Sequence, residues 1–139
     1  MKCTIESIHN VEFSGNRAGA RVEGFIPFNR MHLIPNHIDH WINHYEGVKT
    51  VQYENGIFVA AWAETVCSDR DKYDAKTGEH IAESKAKAKI YRFIRNFSAK
   101  MAEYFENLTD EFDDTRLKYQ HCIDHEEDHM EILGNRNND

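Results

Sequence analysis

The chain has 139 residues, 40% hydrophobic, 12% aromatic and 29% charged, with a formal net charge of −7. That length suits one domain with a real core, and the lack of any run of about 18 apolar residues argues against a membrane-spanning helix. Cys3, Cys67 and Cys122 form no CxxC pair, which fits reduced thiols in a cytoplasm, and Met1 to Glu6 lack the apolar stretch of a signal peptide.

Cys3 to Phe13 and Ala18 to Phe28 read as two strands joined by a turn at Ser14-Gly15-Asn16. Alternation places Arg17, Arg21 and Glu23 on one sheet face. Gly15, Gly19 and Gly24 suggest bulges or close backbone approach, and Pro27 ends the second strand. A short helix is expected over His37 to Tyr45, with Asn36 as N-cap and Ile38, Trp41, Ile42 and Tyr45 as its apolar stripe. Gly47 stops it.

Lys49 to Glu54 and Ile57 to Cys67 flank Asn55-Gly56, the strongest hairpin signal in the chain. The run Ile57 to Ala63 is apolar at every position and predicts a central strand covered on both faces. Phe58 and Trp62 share one face; Val59, Ala61 and Ala63 share the other. A long helix follows from Lys76 or Thr77 to Leu108. Its stripe, Ile90, Ile94, Phe97, Met101, Tyr104, Phe105 and Leu108, predicts burial against the sheet or a second subunit. Thr109-Asp110 then caps a last helix to about Leu133, with a thinner stripe of Phe112, Tyr119, Ile123, Met130 and Leu133. Gly134 ends it and Asn135 to Asp139 form a tail. The expectation is a single α+β domain over residues 1–134: a small antiparallel sheet of two hairpins, a long amphipathic helix and a C-terminal acidic helix.

Charge is unevenly placed. Thr109 to Glu131 holds nine acids and two bases, which accounts for the whole net charge, whereas Ser84 to Met101 holds six cations and no acid. Two complementary faces paired within or between subunits explain this; so does a basic pocket beside an acidic helix that discourages direct nucleic-acid binding. Lys85, Lys89 and Arg92 share one helical face. The junction from Val66 to Ala82 carries Asp69, Asp71, Asp74 and Gly78 where a strand end meets a helix start, a natural anion-binding corner. As a calcium loop it fails, because the sixth place is Asp74 rather than glycine and the twelfth is His80 rather than glutamate. Asp74 also suits a helix cap. His40 and His44, and His121, His125 and His129, have metal-compatible spacing but lack HExxH and an enclosing shell, so no metal is expected. No nucleophile motif or nucleotide-loop motif occurs, so neither an enzyme nor a cofactor is expected; a histidine-based metal hydrolase is the remote catalytic alternative.

The unit Tyr53-Glu54-Asn55-Gly56, the strand to Cys67, Asp71-x-Tyr73-Asp74, Gly78, Ile81-Ala82 and Lys85-Ala86 resembles a module of small early proteins of tailed bacteriophages. It covers about residues 50 to 90. Among such proteins the chain looks like the anti-Thoeris sponges, oligomers that sequester cyclic ADP-ribose isomers without cleaving them. The resemblance implies a stacking aromatic from the hairpin, for which Phe58 stands. It implies polar contacts from Asp69 and Asp71, an early helical cation at Lys85, and phosphate contacts from Arg17 or Arg21. Lys85 stands where the family has arginine, losing bidentate geometry, and the acidic helix has no obvious counterpart. The implied function is noncatalytic anti-defence binding of a phosphorylated nucleotide signal in a host cytoplasm, by a homodimer or larger assembly. The alternative is an interaction protein whose Asp124, Glu126, Glu127 and Asp128 mimic nucleic acid and block a host nuclease or nucleic-acid-binding protein.

Overall fold

A computed structural model describes residues 2–12, 17–66 and 75–137 of the chain. Strands β1 (Thr4–Glu12) and β2 (Arg17–Pro27) are followed by a single 3-10 turn (Met31–Leu33) and helix α1 (Asn36–Asn43). Strands β3 (Lys49–Tyr53) and β4 (Gly56–Val66) and helix α2 (Ala75–Asn137) complete the order. The four strands form one antiparallel sheet in the order β1-β2-β4-β3, so the two hairpins meet through β2 and β4. The α+β architecture expected from the sequence is therefore the observed one. Two compact units divide the chain, 1–101 and 102–139.

In the first unit, one sheet face is the core. Ala18, Ala20, Val22 and Ile26 of β2 lie in register with Thr65, Ala63, Ala61 and Ile57 of β4, and all are buried. Gly24 stands opposite Val59; a Cβ there would come within 2.9 Å of the Thr4 carbonyl oxygen, so the close approach anticipated for this glycine is real. Ile38 and Ile42 of α1 and Ala82, Ala86, Ile90, Phe93, Phe97 and Met101 of α2 supply further buried side chains. The ring of Phe93 stacks on Trp41 with centroids 5.4 Å apart and receives the edge of Tyr45 at 5.1 Å, while Phe97 meets Phe28 edge-on at 6.5 Å. The early part of the expected long stripe thus serves this chain's own core. Phe93, absent from that stripe, is its most central ring, whereas Ile94 is only half-buried.

Three expectations need correction. β4 is central, but among the described residues it is covered on one face only: Phe58 is half-buried and Trp62 is 51% exposed on the other face, beside exposed Val51, Tyr53 and Val66. The apolar run reads as buried on both faces because hydrophobicity cannot report a missing second layer. The 53–56 hairpin turns on Glu54 and Asn55, since Tyr53 pairs with Gly56, and Gly56 takes φ +153° as the first residue of β4. A Cβ at Gly56 would collide with the Ile26 carbonyl oxygen and the Phe25 ring. Finally, helix α2 runs through Thr109-Asp110 and Gly134. No proline lies in this segment, so the capping preference of Thr and Asp has no break to exploit.

In the second unit, residues 102–135 are exposed apart from half-buried Tyr104 and Leu108. No described helix is long and apolar enough to cross a membrane.

Candidate ligand-binding cleft

The site grows from a mismatch in strand length. β3 begins at Lys49, opposite Ala60, while β4 continues to Val66. Among the described residues β4 beyond Ala60 has a strand neighbour only on its β2 side, and the backbone groups of its even-numbered residues face the other edge. Helix α2 meets those groups with cations. Lys89 Nζ donates to the Trp62 carbonyl at 2.9 Å and Lys85 Nζ to the Glu64 carbonyl at 3.3 Å. The fit is geometric: four helical residues rise about 6 Å, and two strand residues advance about 6.7 Å. Small residues permit the approach, with Ala82 and Ala86 on the helix and Ala61 and Ala63 on the strand all buried.

A cleft of about 650 Å³ opens where β3 begins, lined by Arg21, Tyr45, Gly47, Val48, Lys49, Ala60, Ala61, Trp62 and Lys89. Trp62 supplies a broad apolar surface and Arg21, Lys49 and Lys89 supply positive charge. Arg21 Nε is held 3.1 Å from Glu23 Oε1. Lys89 keeps donors beyond the one spent on Trp62. Lys49 makes no ion pair with any described residue. Tyr45 ties the wall to the aromatic cluster through Phe93, so the cleft rests on packed core. A second, shallower groove of about 700 Å³ adjoins it, lined by Thr77, His80, Ser84, Lys85 and Arg92 among others and sharing Lys89. Together the two form a cationic track along that edge of β4.

Comparison with known protein families, curated proteins and solved structures finds no match. A lysine ammonium is a compact charge with rotatable donors, suited to phosphate oxygens, and an exposed indole suits a flat ring.

The sequence-derived site is only partly assembled here. Lys85 and Arg21 lie along this track. Arg17 pairs with Val66 at the far end of β2 and sits on the open sheet face. Phe58 shares that face but stands six residues from Glu64, about 20 Å along the strand, so it cannot stack over a group held by Lys85. Asp69 and Asp71, with Asp74 and Cys67, lie outside the described residues. Trp62 is the aromatic that sequence reasoning passed over. The available signal was its alternation with Ala61 and Ala63, which turns a large ring away from the core face.

His80 lines the second groove. His40 and His44 stack with centroids 4.0 Å apart, and His44 Nδ1 lies 2.8 Å from the His40 carbonyl, a hydrogen bond when that nitrogen carries the proton. Among the described residues no group of three or more His, Cys, Asp or Glu could hold a metal. Asp124, Glu126, Glu127 and Asp128 are all exposed on the second unit.

Proposed function

We propose that the chain is a noncatalytic binder of a flat, phosphorylated, nucleotide-type small molecule, with Trp62 stacking on the ring and Lys49, Lys89 and Arg21 meeting the phosphates. One observation carries the reading: a half-exposed tryptophan shares a cleft with three cations, one of them bound to that residue's own carbonyl. Lys85 and Arg92 in the adjoining groove extend the positive track for a second phosphate. The setting, a phage protein that sequesters a host defence signal of the cyclic ADP-ribose type, rests on the sequence resemblance alone.

Calorimetry with cyclic ADP-ribose isomers and cyclic oligonucleotides tests the proposal. Saturable heat is expected with at least one of them. Lys49→Glu should weaken it by about tenfold or more, the scale of one charge-assisted contact. Folded protein that binds none of them refutes the reading.

The exposed acids of the second unit favour a second reading, the nucleic-acid mimic. Neutralising Asp124, Glu126, Glu127 and Asp128 together should abolish anti-defence activity if the acidic helix is the effector, and leave nucleotide binding intact if the cleft is.

A further inference from the structure

In the second unit, Phe112, Tyr119, Ile123, Met130 and Leu133 are 67%, 57%, 50%, 62% and 43% exposed. Five of the seven exposed large apolar side chains between 112 and 133 share one spacing; Leu117 and Ile132 lie off it. With Arg116 and Glu126 the five fill every place of an alternating four-three repeat: 112, 116, 119, 123, 126, 130, 133. That is the seam of a two-stranded coiled coil, with Arg116, Ile123 and Met130 at a positions and Phe112, Tyr119, Glu126 and Leu133 at d positions. Two seam places carry charge, and they carry opposite charge.

We propose that this seam is covered by the same seam of a second copy, running antiparallel. In an antiparallel pair each a residue faces a d residue of the other strand. One alignment places Arg116 opposite Glu126 of the other copy. It then places Phe112 opposite Met130, Tyr119 opposite Ile123 and Thr109 opposite Leu133, so no seam charge faces an apolar residue. Sliding by one heptad puts Arg116 against Tyr119 or Leu133, and Glu126 against Thr109 or Ile123, leaving neither charge opposite its complement across the seam. A parallel pair sets Arg116 against Arg116 and Glu126 against Glu126. Charge complementarity therefore selects both the partner's direction and its register. Arg116 lies within 3.7 Å of Asp113 on its own helix, so a favourable acid already flanks it. Against the register, Asp113 and Glu127 of opposite copies fall near one another at e positions, a like-charge contact at the solvent rim that salt screens. The same alignment brings the two copies of Cys122, exposed and at g positions, beside each other.

Sedimentation of the full chain at micromolar concentrations, with circular dichroism as the folding control, tests this. A dimer is expected. R116E and E126R should each weaken it by about 100-fold or more, and R116E/E126R should restore it. In a chain with Cys3→Ser and Cys67→Ser, diamide should rapidly link two copies through Cys122. A monomer throughout, a trimer or tetramer, or a double variant no better than the single ones overturns the proposal. If a charge variant loses helicity, the Cys122 cross-link decides alone: rapid linkage supports the register and its absence refutes it.

Discussion

Thr65 is 8% exposed, and its hydroxyl meets no hydrogen-bond partner among the described residues. A buried unmet hydroxyl costs about 1 to 3 kcal/mol, so Thr65→Val should raise stability by about 1 kcal/mol in denaturant unfolding. An unchanged or lower midpoint would mean that the hydroxyl is satisfied. Gly56 predicts the opposite sign. A methyl group there meets the Ile26 carbonyl at positive φ, so Gly56→Ala should cost about 2 kcal/mol or more. Cys3 is half-buried and desolvation pushes its thiol upward, which lowers its thiolate fraction at neutral pH. At this scale the sequence was a fair guide to constraint and a poor one to exposure. Asn55-Gly56 announced the hairpin, but the turn lies one residue earlier because Gly56 is needed at the strand, not in the loop. Phe58 and Trp62 look equivalent by alternation, and only the starting point of β3 makes Trp62 a rim residue.

The elements follow from periodicity where a side chain has one role. Alternation gave β2 and β4, and the Ile38 and Ile42 spacing gave α1 within two residues at each end. It failed where burial depends on a partner layer, as on the uncovered face of β4. The contact between α2 and β4 combines two roles. Lys85 and Lys89 occupy edge carbonyls that would otherwise invite another strand. Replacing both by Met keeps their apolar stems and removes the ammonium groups. The variant should remain folded, with stability lowered by no more than about 2 kcal/mol, but should self-associate through the exposed edge and lose nucleotide binding. Light scattering and calorimetry on the same sample separate these effects. Unaltered binding would place the phosphates elsewhere. Phe93 bears the helical side of the core, and Phe93→Ala should cost about 3 to 5 kcal/mol on thermal or chemical unfolding.

For the molecule as a whole, charge is partitioned between the two units. The cationic track belongs to residues 1–101, while the concentrated acid belongs largely to 102–139. The partition was legible in sequence, but its use was not. The basic segment is partly consumed in holding the sheet edge, and only the remaining donors face the cleft. The Asp69 to Asp74 corner lies outside the described residues, and the cleft is built on Trp62 and its neighbouring cations. The two tryptophans, Trp41 and Trp62, give a direct probe. In a Trp41→Phe chain the remaining indole reports on the cleft alone. Titration with phosphorylated cyclic nucleotides should quench its fluorescence saturably, the matching nucleosides should have little effect, and Lys49→Glu should shift the curve to higher concentration. Fluorescence unmoved by every phosphorylated ligand, or a titration indifferent to Lys49, would contradict the assignment of this cleft as the binding site.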